Sequence, residues 1–321
     1  MAGLKELRTR LDSAKSTQQL TSAMKMVSVS KLRKAQNRTS RVREMCFRLM
    51  AIYRTMAQEN DFPIQEHLLH KGYDKPSRVL VIVIASDKGM CGTFNAAVCR
   101  AAEEHIQKNY SHLPVSDIGV FSIGNKAGQY FASRPYARML SASCFPAGEM
   151  DYVHLQAWMS EILDAYRKGS IQKVEVVYCR PVNAATHTVR VQEILPVAGV
   201  LKLGEAAVED FRKQGESSAS IGSVEEARHR AGFFQSGMVE VLPGMGPVLE
   251  SMLPKVASLY FYLSLCQSAV AEHGARMTAM SQATDNAEEL IKELNLRYNK
   301  LRQSGITNEL IEIVSGATAQ R

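Results

Sequence analysis

One stretch limits the fold more than any other. From Val256 to Leu301, apolar or small residues recur at alternating steps of three and four. The positions are Val256, Leu259, Leu263, Cys266, Val270, His273, Met277, Met280, Thr284, Ala287, Ile291, Leu294, Tyr298 and Leu301. Only His273 and Thr284 break the stripe, and no proline follows Pro254. Such an alternation is the repeat of a coiled coil, because about 3.5 residues per turn keeps one stripe facing a partner helix. At about 1.5 Å per residue the run is a rod of roughly 70 Å, well beyond the ~30 Å width of a small domain. It needs a partner.

The other end of the chain supplies one. Residues 4–56 contain no glycine or proline. Leu4, Leu7, Leu11 and Ala14 begin a stripe that resumes at Leu20, Met24 and Val27, then at Val42, Met45, Leu49, Ile52 and Met56. Between these blocks the seam turns small and polar at Ser28, Ser30, Ala35 and Ser40, so the pattern predicts one long helix with two changes of register. This segment also holds the charge excess. Residues 1–54 carry 13 Lys and Arg against 3 Asp and Glu, leaving 26 against 29 for the rest of a chain whose net charge is +7. That asymmetry suggests an acidic partner. The apolar stripe is too narrow, and too poor in Trp and Phe near its start, for a helix lying on a membrane. An Arg-rich, acid-poor start also suits mitochondrial import, but the helical pattern outruns a cleaved segment, so import would be a second role.

The centre has a different period. Arg78–Ala85 is a β-branched run suited to a strand buried on both faces. The turn Ser86–Asn95 leads to a helix over 96–109. Strands are expected at 117–123 and 174–178, helices near 126–132 and over 149–168, and a half-exposed strand over 186–195. The β-α-β-α order points to a mostly parallel, Rossmann-like sheet flanked by helices. Met238–Leu242 looks like a last strand, with 243–247 as the turn into the final helix. The expected division is an N-terminal coiled-coil helix over 1–57, a linker over 58–77, the α/β domain over 78–198, a flexible insertion over 199–236, a last strand and turn over 237–249, and the C-terminal coiled-coil helix over 250–321. The fold class is thus α/β plus a long antiparallel coiled coil.

Chemistry is sparse. No run reaches the eighteen or more apolar residues of a membrane span. The six cysteines are scattered without CxxC pairs, as befits reduced thiols. The Ser86–Asn95 turn sits where phosphate loops sit, between strand and helix, but has neither GxxxxGK[ST] nor GxGxxG. A tight turn with Asp87 and Lys88 facing solvent or a partner fits better. Glu66, His67 and His70 have no second ligand pair nearby, so a solvated loop is preferred to a metal site. The basic helix lacks the aromatic platforms of nucleic-acid modules. His273 and Thr284 are expected to make local hydrogen bonds, and Cys266 to be a small buried residue. No catalytic residue, cofactor site or metal site is expected.

Four stretches together carry a resemblance. Thr17–Ser28 (TQQLTSAMKMVS) looks like the TQKITKAMKMVS signature of the gamma subunit of F-type ATP synthases. Arg276–Ala287 (RMTAMSQATDNA) is similar to that family's RMxAMxxATDNA, 296–316 resembles its C-terminal end, and Ser86–Gly92 its SDRGLCG turn. The resemblance implies that the terminal helices pair as a central rotor shaft, with the Rossmann-like domain at its foot. It implies the alpha and beta subunits of the catalytic head, the delta and epsilon subunits and the membrane c-ring as partners, with no nucleic acid and no membrane span. The chain would be non-catalytic and peripheral to the mitochondrial inner membrane on the matrix side, or to a bacterial plasma membrane on the cytoplasmic side. By the same resemblance Arg302, Gln303 and Thr307 match catch residues that bond to a beta-subunit loop. Lys88 takes the place of an arginine that meets an acidic beta segment, where Met24 and Lys25 also pass. Ile311, Ile313, Val314 and Ala317 would turn in an apolar collar. Lys88, Met90 and Thr93 depart from the family's usual residues, and 199–236 does not resemble the core family. The competing readings are a coiled-coil scaffold for acidic partners or nucleic acid, and a nucleotide-dependent α/β enzyme.

Overall fold

The computed structural model describes residues 2–58, 67–137, 139–140, 144–149, 152–184, 186–199 and 245–319. They divide into two compact units. One comprises Leu32–Gly89 and Thr93–Glu272, the other Met1–Lys31, Met90–Gly92 and His273–Arg321. Helix α1 (Ala2–Gln58) and helix α6 (Met245–Ala319) each contribute to both.

The first unit is built on a five-stranded sheet. Strand β1 (Val79–Ile84) lies between β2 (Ile118–Ile123) and β4 (Lys173–Pro181), and the order is β3-β2-β1-β4-β5, with β3 at Cys144–Phe145 and β5 at His187–Leu195. The first four strands are mutually parallel. Every residue of β1 is buried, which is why its sequence is an unbroken apolar run. β5 runs antiparallel to β4 because only a short turn joins them, closed by the Val182 N–H donating to Thr186 O. Helices α3 (Phe94–Tyr110) and α4 (Asn125–Phe131) pack on the sheet. A large apolar core joins Ile82, Phe121 and Val176 to α5 (Tyr152–Arg167), to Cys46 and Met50 of α1, and to Val256 and Phe261 of α6. Residues 256–262 of α6 are buried on all sides, so there the helix is part of a domain core as well as one half of a pair. Cys266 is buried as expected.

Two boundaries differ from the sequence reading. The 58–77 linker contains a short helix, α2 (Leu68–Lys71), capped by His67, whose Nδ1 accepts from the Leu69 N–H, while the His70 ring stacks on Tyr53. A solvated loop does not describe it, because Leu69 is buried in the core and both histidines are partly buried, while Glu66 lies outside the described residues. Helix α6 begins at Met245, inside the 237–249 segment. Pro247 sits in its first turn, where a missing N–H costs nothing. The expected strand Met238–Leu242 and nearly all of the 199–236 insertion lie outside the described residues.

The register of α1 is the main correction. Its protected positions include Leu4, Leu7, Leu11, Ala14, Gln18, Thr21, Lys25, Ser28, Leu32, Ala35, Thr39, Val42 and Cys46. That is a single unbroken alternation of three and four, with no change of register. Leu20, Val27, Met45 and Ile52, expected in the seam, are exposed by 59, 55, 56 and 45%. Apolarity alone misled because the true seam is polar for four consecutive positions, from Gln18 to Ser28.

Candidate functional site

In the unit formed by the chain ends, α1 and α6 pair directly. Leu11, Ala14 and Leu294 form a small apolar cluster flanked by Leu7 and Ile291. The polar positions follow. Gln18 Nε2 donates to Glu288 Oε1 at 3.0 Å, Thr284 Oγ1 donates to Thr21 Oγ1 at 2.9 Å, and Lys25 Nζ donates to Ser281 Oγ at 3.0 Å. Thr21 in turn donates to Gln18 O, so both hydroxyls at this rung have assigned roles. As α1 residue numbers rise, their α6 partners fall, which makes the pair antiparallel. Thr284 therefore bonds across the pair as well as standing 2.8 Å from Met280 O, more than the local contact expected. The apolar reading of the sequence missed these rungs; the signal that could have found them is that Gln18, Thr21, Lys25 and Ser28 continue the Leu4–Ala14 spacing.

His273 differs from expectation. Its Nδ1 is buried with no hydrogen-bond partner. Burial, together with Arg276 and Lys31, holds the imidazole down at about 4. A histidine held below its ordinary value is neutral when folded, and unfolding lets it take up a proton once the pH falls below that value. Its contribution is therefore complete above about 6.5 and is lost as the pH falls toward about 4. Between pH 7 and pH 5 the wild-type melting temperature should fall further than that of His273→Leu; equal falls in a thermal melt would contradict this.

The Ser86–Asn95 turn is held from several sides. The Ser86 N–H donates to Asn95 Oδ1 at 3.0 Å, and Ser86 Oγ lies 2.6 Å from Lys88 O. Asp87, expected to face solvent or a partner, is partly buried and bonded to neighbouring backbone. Its Oδ1 accepts from the backbone N–H groups of Asn125 and Ala147, and its Oδ2 from that of Gly148. Those donors open α4 and the 3-10 helix Ala147–Glu149, whose first N–H groups have no partner within their own helix. Gly124 makes the approach possible at φ +98°, since a Cβ there would lie 2.3 Å from Ala85 O. Lys88 is exposed, and Met90 is exposed at φ +62°.

Of the remaining assigned residues, Met24 and Lys25 lie partly buried at the pair. Arg302, Gln303 and Thr307 are exposed on successive turns of α6, with Thr307 Oγ1 donating back to Gln303 O. Ile311 is exposed as well. Ile313, Val314 and Ala317 lie on the helical backbone, and their side chains fall outside the described residues. Among the described residues no group of His, Cys, Asp and Glu is placed to hold a metal.

The arrangement of paired terminal helices and a central sheet has relatives. The ATP synthase family model matches residues 3–320. A protein of Amoebophilus asiaticus named ATP synthase gamma chain is 33% identical, with 99% of each chain covered. The chain belongs to the ATP synthase gamma-chain family. Neither the scaffold nor the nucleotide-dependent enzyme is favoured by these relatives. The gamma chain of Bdellovibrio bacteriovorus is likewise 33% identical, again over 99% of both chains. Two solved structures share the fold. A chain of the Euglena gracilis mitochondrial ATP synthase, from a structure of OSCP/F1/c-ring, superposes with a TM-score of 0.59 at 17% identity, over 99% of this chain and 95% of that one. One from the Tetrahymena thermophila central stalk and c-ring gives 0.56 at 23%, over 82% and 99%.

Proposed function

We propose that this gamma chain is a non-catalytic rotor subunit that couples proton-driven turning of a c-ring to conformational change at distant beta-subunit sites during ATP synthesis. The observation that carries this reading is the continuous antiparallel seam between the two chain ends, with polar rungs that hold one helix against the other. A shaft must resist twisting, and two helices with matched apolar and hydrogen-bonding positions do so better than one. Its outer surface is uneven, with Leu20, Met26 and Val27 exposed on α1, and Leu296 and Arg302 on α6. Each orientation of such a surface offers a different set of contacts to each neighbour. A neighbour that prefers one set has its own equilibrium shifted, which is how rotation becomes nucleotide affinity.

Arg302, Gln303 and Thr307 are the proposed catch, Lys88, Met24 and Lys25 the contacts with an acidic beta segment, and Ile311, Ile313, Val314 and Ala317 the collar bearing. The foot meets the delta and epsilon subunits and the c-ring. Among the described residues no helix is long and apolar enough to cross a membrane. The proposed location is the matrix face of the mitochondrial inner membrane, peripheral to it, and the fold shared with chains of mitochondrial ATP synthases supports it. The bacterial gamma chains at 33% identity favour a second placement, on the cytoplasmic side of a plasma membrane. Fractionation of the source cells separates the two.

Arg302→Ala combined with Gln303→Ala should lower coupled turnover by about tenfold or more, the factor that follows from losing one charge-assisted hydrogen bond of about 1.5–3 kcal/mol. The isolated subunit should melt as before, since both side chains are exposed. Unchanged ATP-driven proton pumping in the assembled complex would remove the catch assignment.

A further inference from the structure

We infer that Asp87 is a positioning residue: it fixes the turn that presents Lys88, so that a partner's contact with the lysine is delivered to the sheet. This rests on the proposed role of Lys88 and goes beyond it. The Asp87 carboxylate accepts from three backbone N–H groups, at 3.1 Å from Asn125, 2.9 Å from Ala147 and 2.9 Å from Gly148. The same turn is held at Ser86, fully buried, whose carbonyl accepts from the Lys126 N–H at 3.1 Å and whose Oγ lies 2.6 Å from Lys88 O. Ser86 is thus tied to α4, its hydroxyl reaches past Asp87 to Lys88 O, and the Asp87 carboxylate joins the turn to α4 and to the 3-10 helix Ala147–Glu149, while Lys88 itself is exposed.

A lysine is a compact charge on a flexible four-carbon stem. An ordinary surface turn beneath it would give way when the partner pushes, and the contact would lose its positional meaning. Functional side chains need a shell that locks their backbone. A carboxylate bonded to the starts of two helices is such a shell, because each helix start directs unpaired N–H donors at it.

The test uses the complete ATP synthase in sealed vesicles, reading protons pumped per ATP hydrolysed for wild type, Lys88→Ala, Asp87→Ala and the double variant. If Asp87 acts through Lys88, each single change lowers the ratio several-fold, and the double variant falls no further than Lys88→Ala alone. A purely structural Asp87 would instead give losses that multiply, and that outcome overturns the inference while sparing the lysine. An unchanged ratio in Lys88→Ala removes the lysine's role, and the inference with it. Asp87→Asn covers the case where the alanine variant fails to assemble. It keeps the Oδ1 acceptor but opposes an amide N–H₂ to the Gly148 N–H, so its ratio should lie between wild type and Lys88→Ala. A wild-type ratio there, with faster hydrogen exchange at the Gly148 amide, would also overturn the proposal.

Discussion

Glu175→Ala should lower the stability of the sheet-bearing unit by about 3–5 kcal/mol, the usual result of removing one partner from a buried charged pair. Glu175 is 5% exposed on β4. Its Oε2 lies 2.6 Å from His105 Nε2, and its Oε1 lies 2.9 Å from Lys173 Nζ. Burial alone would push this carboxyl upward, but the His105 hydrogen bond and the Lys173 ammonium outweigh it and hold the group below the usual carboxylate range. Lys173 also lies 3.5 Å from Glu193 and over the Tyr110 ring, and is itself held up mainly by Glu175, against its own burial. Without Glu175 the ammonium keeps only the weaker of its two carboxylate partners. A fall in melting temperature of roughly 10 °C is expected by thermal denaturation; a fall within a degree or two would show that the pair contributes nothing. A carboxylate held below its ordinary value stabilises the fold at pH above that value. The contribution disappears as the pH falls through the depressed one, so the wild type and the variant should converge in acid.

The second large effect is local. Leu294→Ala truncates one of the two buried leucines of the cluster with Leu11 and Ala14. Truncating a buried leucine costs about 2–5 kcal/mol. Paired helix ends open more readily than a domain core, so the loss should appear as local opening. Amide hydrogen exchange should accelerate around 4–16 and 287–300, with little change at β1. Unaltered exchange at both ends would mean that the cluster does not hold them.

The parts of the fold most legible in the sequence were those set by apolar spacing. β1 is an uninterrupted apolar run because it is covered on both faces, and the Val256–Leu301 stripe is protected as far as Tyr298. Legibility failed where polar residues do the packing. Gln18, Thr21, Lys25 and Ser28 occupy seam positions by hydrogen-bonding or lying against the opposite helix, and a reading that followed apolar residues moved to Leu20, Met24 and Val27 instead. Asp87 failed for a related reason. Its partners are the backbone amides of 125, 147 and 148, far off in sequence and invisible as side-chain pattern. The Glu175, His105 and Lys173 cluster unites a strand with a helix seventy positions earlier, which no local spacing reveals. The motif resemblances point to Arg302, Gln303 and Lys88, but a motif does not reveal what holds a side chain in place.

The claim on which all this depends is that the two ends of the chain are wound together and turn as one body. It is tested most directly by Thr21→Cys with Thr284→Cys, whose native hydroxyls stand 2.9 Å apart. Five of the six native cysteines are buried, so mild oxidation should act mainly on the new pair. In the assembled ATP synthase the disulfide should form readily and leave ATP-driven rotation at the reduced-state rate, because it joins two parts of the same rotor. Failure of the cysteines to join, or a rotor that stops when they do, would contradict the account.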